Sequence, residues 1–183
     1  MSEKKILRVR LDSGDHRFEP ADDHYLNLGG RGLSASIIAR EVPPRCDPLG
    51  PENKLVIAAG LLAGTSVPNS GRLSIGAKSP LTQGIKEANA GGTAAQKLAR
   101  LGIQAIVLEG CAEDLVSIEI RNTGVRISSA VDLAMRGNGD CMAHFRRQAG
   151  EGVSVISIGP AGEMGLKAAA VAVSSPDFLP RMA

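Results

Sequence analysis

Apolar positions recur along this chain with two periods, and the segments they mark are short. Residues 6–11 alternate apolar with basic side chains and run into Asp12-Ser13-Gly14-Asp15, which predicts a strand turning back through Arg17-Phe18-Glu19. Leu33, Ile37 and Ile38 share one helical face between Gly29-Gly30-Arg31-Gly32 and Pro43-Pro44, so the spacing predicts a helix over 33–41. Residues 55–59 are continuously apolar and predict a strand covered on both faces. Leu73, Ile75 and Ala77 alternate with polar or small residues and predict a second strand, one face of which is buried.

Downstream, residues 93–101 predict an amphipathic helix stopped by Gly102. Strands are expected at 105–108, 116–120 and 125–127, the last two joined through Asn122-Thr123-Gly124. Asp140 is placed to cap a helix reaching Ala149 and ended by Gly150, and strands are expected at 153–158 and 168–173. Strands that mostly follow one another through hairpins, with few regular strand–helix–strand crossovers, place the chain in the α+β class. One internal echo stands out. Val56-Ile57-Ala58-Ala59-Gly60, then Gly64 and a strand ending Ser79-Pro80, is matched by Val155-Ile156-Ser157-Ile158-Gly159, then Gly162 and a strand ending Ser175-Pro176. Carried further, with a three-residue gap, the echo pairs Asn89-Ala90 with Met182-Ala183, and this pairing requires the two segments to lie near each other.

Composition narrows the classes. At 183 residues the chain suits one domain with a sizeable core, and 22 glycines imply many tight turns. One Tyr, three Phe and no Trp leave no base-stacking platform, and a net charge of +2 with scattered basic residues supports neither a nucleic-acid stripe nor a polybasic membrane patch. Cys46, Cys111 and Cys141 have no metal-site spacing and read as reduced thiols. The N-terminal Met1-Ser2-Glu3-Lys4-Lys5 is not followed by a long apolar run, so a cytoplasmic protein without a membrane span is expected.

The chemistry concentrates in residues 70–92, where a cationic strand stands beside a glycine-rich turn, Asn89-Ala90-Gly91-Gly92, opening a helix. Glycines let backbone N–H groups approach an anion, while Arg72 offers a planar donor fork and Lys78 a point charge. Gly71-x4-Gly76-Ala77-Lys78-Ser79 is not a nucleotide-binding P-loop, because Ala77 separates the lysine from the second glycine and the segment reads as a strand. His16, His24 and His144 are dispersed, and no nucleophile elbow or zinc-protease motif occurs. The residues describe a holder of phosphate and supply no catalytic set.

In combination, Leu28-Gly29-Gly30-Arg31-Gly32-Leu33, Asp47-Pro48-Leu49-Gly50-Pro51-Glu52-Asn53-Lys54-Leu55, Gly64-Thr65, Gly71-Arg72, Lys78-Ser79-Pro80-Leu81-Thr82, Asn89-Ala90-Gly91-Gly92 and Ile158-Gly159-Pro160-Ala161-Gly162-Glu163 resemble the N-terminal domain of the tungsten-containing aldehyde:ferredoxin oxidoreductases. The resemblance is collinear over nearly the whole chain. It implies two β-sheets forming a saddle-like base, with peripheral helices, on which a tungsten or molybdenum bis-pterin sits. It assigns Arg72, Asn89 and Gly91 to the pterin phosphates, and the backbone carbonyl of Asn89 to a magnesium ion bridging them. The family's second phosphate loop, Arg-x-Ala-Gly-Arg-Gly-Gly, matches here at Arg181-Met182-Ala183, which puts Arg181 at a pterin contact and the carbonyl of Met182 at the magnesium. Residues 174–180 depart from the commonest family pattern.

On that resemblance, residues 1–183 are one pterin-binding domain cut inside its second phosphate loop. The [4Fe-4S] cluster, the acid/base residues and most of the substrate cavity would belong to a C-terminal catalytic domain or a separate catalytic subunit. The intact enzyme would oxidise aldehydes to carboxylates and pass electrons to ferredoxin; this chain alone would not. Two other readings remain open at this stage: an orphaned domain without cofactor, and a stand-alone phosphate- or nucleotide-binding module.

Overall fold

A computed structural model describes residues 4–183; Met1-Ser2-Glu3, part of the N-terminal stretch read above, lies outside the described residues. The elements in chain order are β1 (Lys5–Arg10), β2 (His16–Pro20), α1 (Asp23–Leu26), α2 (Gly30–Glu41), β3 (Lys54–Ala59), β4 (Arg72–Lys78), β5 (Ile85–Gly91), α3 (Ala94–Arg100), β6 (Ile103–Glu109), β7 (Val116–Arg121), β8 (Gly124–Ser129), α4 (Asn138–Ala149), β9 (Ile156–Ser157), α5 (Pro160–Glu163), β10 (Ala172–Ser174) and β11 (Pro180–Met182). The class is mixed α+β, as expected. The strands divide among three sheets rather than two: a six-stranded sheet ordered β2-β1-β6-β3-β4-β5, a three-stranded sheet ordered β11-β10-β9, and the β7-β8 hairpin.

The six-stranded sheet is covered on both faces. On one, Ile6, Val56, Ala58, Ala105 and Val107 pack against Leu33, Ile37 and Ile38 of α2. On the other, Leu7, Val9, Ile57, Leu73, Ile75 and Ile106 meet Ala94, Ala95 and Leu98 of α3, with Val173 of β10 and the apolar side of the β7-β8 hairpin completing the layer. Double coverage explains why β3 reads as an unbroken apolar run. A third cluster seats Met142 and Phe145 of α4 against Val155 and Ala172.

Several expectations are corrected. Asn89-Ala90-Gly91 is not a turn: it ends strand β5, which pairs antiparallel with β4 over seven residues. Ile85 apart, that segment has no β-branched or aromatic residue, so its strand propensity is low and long-range pairing with β4 decides the outcome. Gly91-Gly92 still leads into α3 as anticipated. Helix α2 begins inside the glycine segment, at Gly30, and α4 begins at Asn138 after Gly137, leaving Asp140 in the first turn instead of at the cap. The strands expected at 153–158 and 168–173 shrink to two and three residues and shift, and β11 was not anticipated. The β1–β6 pairing is parallel, so one long crossover joins what otherwise runs through hairpins and antiparallel neighbours.

The internal echo has a structural counterpart. Each copy is an antiparallel meander of three neighbouring strands, β3-β4-β5 and β9-β10-β11, with Ser-Pro at the second turn. The edge strands β5 and β11 touch each other, as the pairing of Asn89 with Met182 requires.

A candidate phosphate and cation site between two edge strands

Side-chain alternation puts Arg72, Ser74, Gly76 and Lys78 of β4, with Gly91, Asn89 and Glu87 of β5, on the sheet face that carries α2. At the upper end of this ribbon stand two guanidinium groups. A β-carbon built on Gly91 would lie 3.5 Å from Nη1 of Arg72 and 3.6 Å from Nη1 of Arg181. Glycine at this position leaves open the space between the two donor forks. Both arginines are exposed, and among the described residues neither belongs to an ion pair. The structure therefore brings Arg72, Gly91 and Arg181 together although the last is ninety residues from its neighbour in sequence.

Strand pairing decides which backbone groups are free. The carbonyl of Arg72 accepts from the N–H of Gly60 at 3.0 Å, and the Asn53 side chain bonds both the N–H and the carbonyl of Lys78. Residues 72, 74, 76 and 78 thus spend their backbone groups on the β3 side. Their partners on β5, including Asn89 opposite Ser74 and Gly91 opposite Arg72, form the non-hydrogen-bonded pairs and direct N–H and C=O to the open edge of the sheet. The same logic holds in the small sheet. Val171 and Ala183 exchange both backbone hydrogen bonds, at 3.2 and 2.8 Å, so the next pair, Ala172 with Met182, is non-hydrogen-bonded and the Met182 carbonyl faces out of edge strand β11. Both carbonyls assigned to a cation are ones that the ladders leave unused.

The lower ribbon is a polar network beneath the helix. Glu87, whose side chain is 8% exposed, accepts from Nε of Arg31 at 2.7 Å, from Oγ of Ser74 at 2.7 Å and from Nδ2 of Asn89. Ser74 Oγ in turn lies 2.9 Å from Oγ of Ser34 on α2. The Asn89 side chain is therefore engaged under the helix while its carbonyl faces the edge. Sequence reading did not single out Glu87, because Lys86-Glu87-Ala88 carries no alternating apolar pattern.

Lys78 does not join Arg72 and Arg181. It lies at the opposite end of β4 from Arg72, and its buried ammonium donates to the carbonyls of Pro44 and Cys46 at 2.8 and 2.5 Å, fastening the loop after α2. Two polar side-chain atoms, Ser70 Oγ and Gln104 Oε1, are buried without partners among the described residues; Ser70 stands two residues before Arg72. No described residues form a group of three or more His, Cys, Asp or Glu side chains suited to a metal ion, and no described helix is long and apolar enough to cross a membrane. Cys46, Cys111 and Cys141 are free thiols.

A second charged cluster lies at the far end of the large sheet. Arg8 donates to Glu41 at 2.7 and 2.8 Å, to Glu109 at 2.8 Å and to Glu19, while Lys54 donates to Glu41 at 2.9 Å and Glu109 at 3.1 Å. Burial alone would raise the Glu41 carboxyl, but the hydrogen bonds from Arg8 and Lys54 outweigh it and hold its pKa at about 2. Glu109 is lowered by the same balance. Every member is satisfied within the fold, so this cluster is structural.

The comparisons bear on family and fold. The profile of the family described as aldehyde ferredoxin oxidoreductase, N-terminal domain, matches residues 6–182. A tungsten-containing aldehyde ferredoxin oxidoreductase of Pyrococcus furiosus is 42% identical over 170 residues, 91% of this chain and 28% of that protein. Its counterpart in Thermococcus kodakarensis is 39% identical over the same shares. Among solved structures, the active-site complex of benzoyl coenzyme A reductase with 1,5-dienoyl-CoA superposes with a TM-score of 0.87 at 32% identity, covering 93% of this chain and 26% of that one. The chain thus spans about 28% of the length of the curated relatives it matches. With the family profile covering nearly all of its length, the chain belongs to the family of aldehyde ferredoxin oxidoreductase N-terminal domains.

Proposed function

We propose that this chain is the cofactor-binding base of a tungsten or molybdenum bis-pterin oxidoreductase, residues 1–183 forming one domain on whose saddle-like surface the cofactor rests. The observation that carries the reading is the convergence of Arg72 and Arg181 on Gly91, beside two edge-strand carbonyls free of ladder bonds. These donors fit the group. Guanidinium forks suit phosphate oxygens, and carbonyl oxygens suit a hard divalent cation that keeps several waters. Arg72 and Arg181 would hold the pterin phosphates, Gly91 would admit them, and the carbonyls of Asn89 and Met182 would take the magnesium ion. When bound, the metal–pterin group supplies two-electron oxidation and reduction at the substrate carbon.

The chain's own work is binding and orientation. Its arginines neutralise phosphate charge, and its rigid sheet fixes where the cofactor sits. A carboxylate-yielding aldehyde oxidation, an iron–sulfur cluster and a ferredoxin-type acceptor belong in this reading to a companion catalytic domain or subunit, in a cytoplasmic enzyme. The relatives are named for an aldehyde and for benzoyl coenzyme A; in this reading substrate choice belongs mostly to residues outside this domain.

The test is elemental analysis of the N-terminally tagged chain, purified gently with whatever accompanies it. Tungsten or molybdenum together with a fluorescent oxidised pterin is the expected result, and Arg72→Ala or Arg181→Ala should lower both by about tenfold or more, the worth of one charge-assisted contact. A chain that carries neither metal nor pterin would overturn the proposal in favour of an orphaned domain. Saturable binding of a common nucleotide without pterin would favour the stand-alone module.

A further inference from the structure

We propose that Glu87 is a positioning residue for the cation site, an inference that rests on the assignment of the Asn89 carbonyl to a divalent ion. Glu87 lies two residues from Asn89 on the same face of β5, and its carboxylate is nearly closed off from solvent. One oxygen accepts from Ser74 of β4 and from the Asn89 amide; the other accepts from Arg31 in the first turn of α2. Three groups from three elements therefore converge on one carboxylate. A buried carboxylate with fewer partners would be costly, so the arrangement is tied to its own satisfaction.

The consequence falls on Asn89. An asparagine on an edge strand has two oxygens that a cation can choose, its side-chain amide and its backbone carbonyl. Glu87 accepts an amide N–H and keeps that side chain under α2, leaving the backbone carbonyl as the ligand and fixing the local strand geometry that aims it. The carboxylate does not itself face the open edge, because its side chain lies on the α2 face. It acts through Asn89, as outer-shell partners of metal ligands do. Arg31 joins it to the helix directly and Ser34 through Ser74, so the first turns of α2 and the middle of β5 are tied together.

The experiment uses the 183-residue chain, isotopically labelled, with Mn2+ as the probe and inorganic phosphate present. In the wild type, Mn2+ should broaden the backbone resonances of both Asn89 and Met182. In Glu87→Ala, broadening at Asn89 should need about tenfold more Mn2+, in the range of outer-shell substitutions, while the phosphate-induced shifts at Arg72 and Arg181 measured without metal stay as in the wild type. Glu87→Gln retains a carbonyl oxygen for Asn89 and Ser74, and should recover most of the loss. Equal broadening of Asn89 in wild type and Glu87→Ala would overturn the role of Glu87 and leave the cation site standing. Parallel loss of metal and phosphate responses, with no recovery in Glu87→Gln, would overturn it as a merely structural effect. No broadening at either residue in the wild type would overturn the cation assignment, and this inference with it.

Discussion

The two meanders share a plan and differ in how they are held. In β3-β4-β5 the site residues stand on a seven-residue ladder, backed by α2 and by the network around Glu87. In β9-β10-β11 the corresponding edge strand has three residues, all exposed, and its sheet is pinned through few positions. The buried hydroxyl of Ser174, which accepts from the N–H of Val155 at 2.9 Å, is one of them. The first half of the proposed anion site is thus preorganised by its own fold. The second would gain most from a bound ligand, since ordering a short exposed strand costs entropy that a ligand contact can offset.

The strongest way to break this contrast is to remove the support of the large sheet. Arg8→Ala would leave Glu41 and Glu109 with Lys54, and Glu19 with the exposed Arg17, as their remaining cations, and should cost about 3–5 kcal/mol, read as a fall in the midpoint of calorimetric unfolding. Protons act on the same network. Because the Glu41 pKa is depressed to about 2 in the folded state from 4.5, its contribution is fully present above the unfolded value and is lost as pH falls through that window. Unfolding followed between pH 6 and 2 should show a steep loss in the wild type and a shallower one in Arg8→Ala; matching slopes would remove the network from the account.

A narrower perturbation targets the seam between the halves. Gly92 has φ of +147°, and a β-carbon there would stand 2.8 Å from the carbonyl oxygen of Ser174 on β10. Gly92→Ala should cost about 1–3 kcal/mol and push the meanders apart. Amide exchange is expected to quicken at Val173 and Ser174 while β4 keeps its protection. Uniform acceleration across both sheets would mean that the halves do not behave as separate units.

Much of this architecture was legible in the sequence, for unequal reasons. The core strands and α2 were visible because burial imposes periodicity on Leu55 to Ala59 and on Leu33, Ile37 and Ile38. Arg72 and the Asn89–Gly92 segment came forward through their own chemistry, Arg181 and Met182 through motif resemblance, and the structure gathers Arg72, Gly91 and Arg181 at one point. Strand β5 was not visible, since Lys86-Glu87-Ala88-Asn89 has loop-like chemistry and becomes a strand only by pairing with β4. Glu87 was hidden with it. Lys78 was misread because charge alone does not reveal that an ammonium is committed to the carbonyls of Pro44 and Cys46.

The smallest expected effect separates the two Ser-Pro turns. In each, the serine N–H donates to the carbonyl that closes the turn, Ser79 to Gly84 at 2.8 Å and Ser175 to Leu179 at 2.9 Å, and the residue just before that carbonyl has a positive φ, +62° at Gln83 and +59° at Phe178. Both side chains adopt a backbone region that disfavours them, so glycine would relieve the same local cost in either turn. Their surroundings differ. Gln83 is exposed, whereas Phe178 packs on the cluster of Met142 and Val155 and lies 4.7 Å beneath the Arg146 guanidinium. Gln83→Gly should therefore raise stability by about 0.5 kcal/mol, the relief of left-handed strain less the added freedom of the unfolded glycine. Phe178→Gly should lower it by about 2 kcal/mol or more, as lost aromatic packing outweighs the same relief. Denaturant unfolding of the two variants reads this directly. Opposite signs would show that the repeated turns are alike in backbone and unlike in what holds them, while a shared sign would mean that the backbone strain, or its absence, governs both.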